Sequence, residues 1–226
     1  MATRRASPGH RAVVRPLHGG TLRDELAAGA RALGLAPDEQ QLAALLALQA
    51  ELADWNQHFN LTAIRAPGEM LRKHLLDSLA VRPFLGGRTI ADVGTGAGFP
   101  GLPLAIVDPA RQYTLIEATG KKARFVAHAV ERLGLGNVVV INVRAETWRP
   151  PAPFDRVLAR ALGPLADFIR VAGHLCQPAG RLLALKGRYP ADEVRALPRG
   201  WQLLATHPLH IPGLAAQRHL LELARS

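Results

Sequence analysis

The ten residues Asp92-Val93-Gly94-Thr95-Gly96-Ala97-Gly98-Phe99-Pro100-Gly101 constrain the fold more than any other part of this chain. They follow a short apolar strand signal at Thr89 to Val93 and precede an apolar helix signal, so the backbone must turn sharply from strand into helix. Gly96, Gly98 and Gly101 keep the spacing of a nucleotide-binding turn, and Glu117 stands 21 residues past Gly96. An acid there, at the end of the next strand, can hold ribose hydroxyls. From Arg88 onward strand and helix signals alternate, as in a parallel sheet covered by helices on both faces. Strands are predicted at Thr89 to Val93, Gln112 to Glu117, Asn137 to Val143, Phe154 to Ala159, Arg181 to Lys186, Trp201 to His207 and His219 to Leu223, with helices between the first six. Only Pro208 to Gln217 separates the last two strands, too short for a helical crossover, so the seventh should pair antiparallel with its neighbour.

Ahead of this core the pattern is helical. Thr21 can cap a first helix with Asp24 and Glu25 in its opening turn, and Gly34 can end it. Asp38 starts a second helix, with Leu42, Leu45, Leu46, Gln49, Leu52 and Trp55 on one stripe. A third helix is expected over Pro67 to Val81, carrying Met70, Leu71, Leu75 and Leu79. The reading is one domain over 21–226, a helical cap (21–86) on an α/β core (87–226), preceded by a disordered basic arm over 1–20.

Of the 226 residues, 28 are Lys or Arg and 18 are Asp or Glu, a formal net charge of +10. Arg4, Arg5, Arg11 and Arg15 lie in an acid-free arm, which leaves about +6 for the body and favours an anionic partner such as nucleic acid. Aromatics are 5% of the chain, too few for base stacking as the main device. The apolar runs fall short of the roughly 18 residues of a membrane helix, so a cytoplasmic protein without membrane contact is expected. The single cysteine, Cys176, sits in an apolar segment and reads as core. His207, His210 and His219 lack the acid and the spacing of a metal site.

Two features turn the glycine loop away from a plain dinucleotide site. Asp92 ends the strand, where a carboxylate can hold the ammonium of an amino acid, and Gly94 opens the loop early. Together they suit a methyl donor with an amino-acid tail and an adenosine head. Ala145-Glu146, after the third strand, lie where an adenine edge would rest. After the fourth strand stands Leu158-Ala159-Arg160-Ala161, where enzymes that methylate exocyclic amines carry Asn or Asp followed by Pro-Pro-aromatic. A ring nitrogen such as guanine N7 has its lone pair free and needs only alignment, not a base. Pyrimidine C5 methylation would need an accessible cysteine, which Cys176 is not.

From about Leu48 to Leu223 the chain resembles the bacterial 16S ribosomal RNA (guanine-N7) methyltransferase G family, once called glucose-inhibited division protein B. The resemblance rests on Trp55-Asn56, Asn60-Leu61-Thr62, His74 through Asp77-Ser78 and the glycine loop. It continues through Glu117, Lys121-Lys122 with Phe125, Ala145-Glu146, Phe154-Asp155, Arg160-Ala161, Leu185-Lys186-Gly187 and Arg218-His219-Leu220. It implies a Rossmann-like, seven-stranded class I S-adenosylmethionine-dependent methyltransferase sheet, acting on one guanine of 16S ribosomal RNA or of the small ribosomal subunit, as a monomer. The cofactor S-adenosylmethionine is expected at Asp92, Gly94, Gly96, Gly98, Phe99, Glu117, Ala145, Glu146 and Arg160.

Arg160 is also the expected catalytic residue, favouring the electron-rich base or its phosphate, while Phe99 supplies an apolar wall for the donor. Lys121, Lys122 and Arg124 open a helix at its positive dipole end, an electrostatic cost that suggests a face for RNA. Lys186 and Arg218 complete the expected RNA-binding set. His74 and Asp77, three apart on a helix, read as groups that fix the cap to the sheet. Asn56, Asn60 and Thr62 read as satisfying backbone groups left open at a helix end. Two other functions use the same residues: a nicotinamide-dependent oxidoreductase on the glycine loop, and a noncatalytic RNA-binding ribosome assembly factor with a vestigial pocket.

Overall fold

The computed structural model describes residues 20–226, so the expected arm lies outside the described residues except for Gly20. The two caps form as the sequence dictates. In α1 (Leu22–Ala32) the Thr21 hydroxyl accepts from the Asp24 amide while the Asp24 carboxylate accepts from the Thr21 amide. In α2 (Glu39–Phe59) Asp38 and Gln41 make the same reciprocal pair. Leu42, Leu45, Gln49 and Leu52 are buried as expected, but Leu48 and Asn56 complete the buried stripe while Leu46 and Trp55 lie at its margin. The third helix is not uniform. It runs as α3 (Pro67–Met70), a π-helical segment (Leu71–Leu76) and α4 (Asp77–Leu79). A π segment fits an extra residue into the turn, and such widenings favour functional sites. Here it carries His74 and leads directly into Asp77.

The strands are β1 (Thr89–Val93), β2 (Gln112–Ile116), β3 (Val138–Ile141), β4 (Phe154–Arg160), β5 (Cys176–Lys186), β6 (Trp201–Pro208) and β7 (His219–Arg225). They form one sheet in the order β3-β2-β1-β4-β5-β7-β6. The first five are parallel, whereas β7 runs antiparallel both to β6 and to β5, and so inserts between them. The expected antiparallel hairpin is present, and its second strand is interior while β6 forms the edge. Between β1 and β2 lies α5 (Gly101–Val107), between β2 and β3 α6 (Gly120–Arg132), between β4 and β5 α7 (Leu165–Ala172), and between β5 and β6 the short α8 (Ala191–Arg195). One expectation fails here: β3 and β4 are joined through a single 3-10 turn at Ala145–Thr147, not a helix. The stretch after that turn, Trp148-Arg149-Pro150-Pro151-Ala152-Pro153, holds three prolines, whose missing amides and fixed φ preclude a helix interior. Strand β5 begins at Cys176 rather than Arg181, pairing Cys176 with Phe154 across an irregular register.

Side-chain alternation assigns the faces. Ile90, Leu115, Leu158, Leu183 and Leu220 join the core under α1, α2, α5, α6 and the π segment. Ala91, Ile116, Val157, Leu182 and Leu221 join the core under α7. By this period of two, Asp92 follows Ile90 and Arg160 follows Leu158 onto the cap side of the sheet. Strand order reverses between β1 and β4, whose carboxyl ends carry the glycine loop and Arg160, the place where open α/β sheets bind ligands. Among the described residues no helix is long and apolar enough to cross a membrane.

Candidate active site

Asp92 is fully buried beneath the glycine loop, where its Oδ2 accepts from the Thr95 hydroxyl (2.6 Å) and the Gly101 amide (2.8 Å). It therefore braces the loop against the start of α5, and its Oδ1 has no partner. Glu117, just past β2, accepts from the Gly96 amide (2.9 Å) through Oε2 and from the Thr119 amide (2.7 Å) through Oε1. The turn needs glycine at Gly94, Gly96 and Gly98, whose φ values are 66°, 63° and 87°. Their surroundings differ. A Cβ on Gly96 would meet only the Gly94 carbonyl, at 4.0 Å, so the space above it is open; a Cβ on Gly98 would stand 2.3 Å from Leu102 Cδ1. At Gly98 the missing side chain makes room for Leu102 of α5. Phe99 is only 3% exposed, with His74 stacked on its ring at 4.8 Å and the Arg160 guanidinium 5.8 Å from its centroid. It forms a covered joint between loop and cap.

Beside this joint a cleft of about 490 Å³ is walled by Lys73, His74, Asp77, Arg160, Lys186 and Arg218, among others. Its organising group is the buried Asp77. Arg160 Nη1 donates to Asp77 Oδ2 (3.0 Å) and to the Lys73 carbonyl (3.1 Å), while Arg218 Nε donates to Asp77 Oδ1 (2.7 Å). One carboxylate thus ties the cap to the end of β4 and to the segment entering β7, and the cluster keeps one net positive charge. Asp77 fixes the cap as expected, but through two arginines and not through His74. The imidazole instead meets the Thr62 hydroxyl at 3.1 Å. Thr62 in turn accepts from the Ile64 amide, and Asn56 accepts from the Thr62 amide, so both serve the backbone after α2. Asn60 ends α2 in the left-handed region and accepts from Arg65.

The other sequence candidates are distributed unevenly. Ala145 is buried in the same hydrophobic cluster as Val93 and Ile116, and Glu146, next to it in the chain, is half-buried. Lys186 is not a free cation: its Nζ donates to the Gly163 carbonyl (2.6 Å) and to Glu193 (2.7 Å). Arg218 likewise is engaged by Asp77. Lys121, Lys122 and Arg124 lie in the first turns of α6, outside the walls of the cleft, and make no ion pair among the described residues. Thr95 and Gly163, which join the loop and the cleft, lie outside the expected site residues. Ala161, at φ 59°, holds a conformation costly for a residue with a Cβ, directly after Arg160. Only Thr95 carried a legible signal, as the one hydroxyl inside the glycine loop.

Two buried groups titrate abnormally and in opposition. Burial pushes His74 down to about 4, with the positive charge of Arg160 adding to the shift. Burial pushes Asp92 up to about 6, against the hydrogen bonds from Thr95 and Gly101 that favour its ionised form. A lowered histidine makes stability fall as pH drops from about 6.5 towards 4, because the unfolded chain takes the proton first. A raised carboxyl makes stability fall as pH rises from about 3.8 to 6, because the folded chain holds the proton longer. Asp92→Asn should remove the second trend alone. Its melting temperature should then drop more steeply than that of the parent between pH 6.5 and about 4.5, measured by scanning calorimetry; equal slopes would count against the burial of the Asp92 charge.

A family model described as rRNA small subunit methyltransferase G (GidB) matches residues 41–221. The ribosomal RNA small subunit methyltransferase G of Xanthomonas campestris pv. campestris (strain B100) is 50% identical over 196 residues, covering 87% of this chain and 92% of that protein. The protein of the same description from Nitrosococcus oceani is 48% identical over 191 residues, covering 84% and 89%. Among solved structures, TrmN from Thermus thermophilus superposes with a TM-score of 0.54 at 23% identity, over 69% of this chain and 53% of that one. A SAM-dependent methyltransferase from Aquifex aeolicus superposes with a TM-score of 0.50 at 20% identity, over 69% and 92%. These two likenesses show the fold alone, the Rossmann-like sheet of class I methyltransferases.

Proposed function

Because this chain belongs to the small-subunit rRNA methyltransferase G (GidB) family, we propose that its cleft receives one guanine of 16S ribosomal RNA and presents N7 to a methyl donor held by the glycine loop. The chain is an S-adenosylmethionine-dependent methyltransferase of small-subunit ribosomal RNA, and the oxidoreductase and noncatalytic readings are set aside with it. The loop fits that donor chemically. Open space stands over Gly96, the Asp92 Oδ1 atom is unpartnered beneath the loop, and Glu117 keeps lone pairs beyond those given to Gly96 and Thr119. Asp92 would then answer the ammonium of the donor through Oδ1, Glu117 the ribose hydroxyls, and the Ala145-Glu146 turn the adenine edge. The protein acts in the cytoplasm, as a monomer.

S-adenosylmethionine, when bound, supplies a methyl group on a positively charged sulfur. With such a donor in the loop, the acceptor nitrogen would take the methyl carbon while the carbon–sulfur bonding pair stayed with sulfur. Positive charge consequently appears on the purine, and no proton has to leave N7. The residues around the cleft match that requirement. Arg160 ends β4 where an amine methyltransferase would need an amide or acid followed by Pro-Pro-aromatic, and Ala161, Leu162 and Gly163 follow it instead. His74 stays neutral at physiological pH, so it neither adds charge nor offers a base poised near 7. Asp77 offsets part of the charge of Arg160 and Arg218, which bare would oppose a purine turning cationic. Arg160 Nη1 is committed to Asp77 and Lys73, while its other guanidinium N–H groups have no partner among the described residues and remain for guanine O6 or a phosphate.

The observation that carries this reading is the anchored Arg160 at the β4 end, one ring away from the glycine loop through Phe99. Its test is labelled-methyl transfer to 16S ribosomal RNA with chemical mapping of 7-methylguanine. Arg160→Ala should lower single-turnover transfer at least about ten-fold, equivalent to roughly 1.4 kcal/mol of transition-state stabilisation. Arg160→Lys should restore only part, since a single ammonium on a flexible stem does not reproduce the planar, pre-organised fork of the guanidinium. The rate should show no rising limb between pH 6 and 8; a limb removed by substituting His74 would assign base catalysis to that imidazole and sink the N7 reading.

A further inference from the structure

We propose that the segment Gly187-Arg188-Tyr189 forms, with the loop before β7, a subsite for one unstacked RNA nucleotide adjacent in sequence to the target guanine. The proposal rests on the functional reading above and extends the same site outward. A second cavity, of about 420 Å³, lies against the first and shares Gly187 and Arg218 with it; Arg188 and Gln217 complete its polar wall. Its size falls within the roughly 300–1,000 Å³ of small-ligand sites. A nucleotide chain whose base enters the first cavity can leave past the shared residues Gly187 and Arg218, a path that puts its neighbour in the second.

The chemistry of the second cavity suits a nucleotide. The cations of the inner cleft are engaged: Lys186 by Glu193, Arg160 and Arg218 by Asp77. Arg188 differs, being exposed and without an ion pair among the described residues, so its guanidinium is free for a phosphate. Tyr189, next in sequence and just outside the lining of this cavity, is 44% exposed, more than any other aromatic among the large hydrophobic residues at the described surface. The ring is held, not loose. It stands edge-on to His219 at 6.2 Å, and the His219 Nδ1–H donates to the Gly187 carbonyl (2.8 Å), tying β7 to the segment that bears the tyrosine. A fixed aromatic face beside an unpaired guanidinium is the pairing that holds single-stranded bases irrespective of sequence. One such face also agrees with the low aromatic content: a single-base subsite needs one ring, where a stacking surface would need several.

The experiment uses the full chain with two probes. The first is a short single-stranded ribo-oligonucleotide carrying one guanine, with 2-aminopurine placed on its 5′ side in one version and its 3′ side in another. Binding should quench the fluorophore in one of the two, and Tyr189→Ala should abolish that quench while Tyr189→Phe keeps it. The second probe is 16S ribosomal RNA in methyl transfer. Tyr189→Ala should raise KM about ten-fold, with kcat and the affinity for S-adenosylhomocysteine unchanged, and Tyr189→Phe should stay within about two-fold of the parent. Absence of a Tyr189-dependent quench in either oligonucleotide, or an unchanged KM in Tyr189→Ala, overturns the subsite. So does a KM effect seen with the assembled subunit and not with naked RNA, which would assign Tyr189 to a protein surface. Failure of the parent chain to methylate 16S ribosomal RNA at N7 would instead overturn the functional reading, and is scored separately.

Discussion

Asp77→Ala is expected to destabilise the fold by about 3–5 kcal/mol, the usual cost of removing one partner from a buried ion pair. Asp77 is 3% exposed, and two guanidinium groups depend on it, one from the end of β4 and one from the approach to β7. The side chains of Arg160 and Arg218 remain 22% and 27% exposed, so water recovers part of their solvation and the lower end of the range applies. Methyl transfer should fall at least as far as in Arg160→Ala, because Arg160 loses the carboxylate that sets its direction. Asp77→Asn, which keeps a carbonyl oxygen for one arginine, should lose less stability and still lose transfer. Urea denaturation measures the first effect and single-turnover kinetics the second. A loss below about 1 kcal/mol would mean that the cluster is screened as surface pairs are, and that the cap is held by its leucines alone.

That cluster also marks the limit of what the sequence discloses. The caps of α1 and α2 were legible because Thr21 meets Asp24, and Asp38 meets Gln41, within one turn. The glycine loop was legible because its glycines, its strand and Glu117 fall at fixed spacings. The partners of Asp77 lie 83 and 141 residues away, and no local rule brings them together. The stacking of His74 on Phe99 joins residues of the cap and of the loop that no helical or strand period relates, so it too is absent from the local pattern. Lys186 read as a phosphate ligand because a lysine after a strand at the active edge has two fates, and Glu193, seven residues on, decides between them only once α8 folds back. The loop length before β7 fixed its direction, but not that it slips between β5 and β6: a hairpin can place either of its strands against the sheet. For β3 and β4 the three prolines after the 3-10 turn were readable, and they outweigh the general alternation that suggested a helix.

Gly98→Val and Gly96→Ala should both abolish activity, for reasons that separate folding from binding. At Gly98 the added Cβ would stand 2.3 and 2.7 Å from Leu102 Cδ1 and Cγ, and Leu102 has no exposed surface into which to retreat. The φ of 87° adds strain for any side chain, most of all a β-branched one. Overpacking of about 1–3 kcal/mol and backbone strain of similar size combine, so the variant should lose several kcal/mol and melt well below the parent. Gly96→Ala meets only the strain, about 1–2 kcal/mol at φ 63°, since its Cβ enters open space. It should remain folded, with a melting temperature lowered by only a few degrees, yet lose affinity for S-adenosylhomocysteine in calorimetry because the methyl occupies the surface on which the donor must lie. The contrast is what assigns the loop. A folded Gly96→Ala chain that binds S-adenosylhomocysteine as tightly as the parent would show that the open space above Gly96 is not the donor site. A Gly98→Val chain that melts with the parent would show that Leu102 and α5 are free to move.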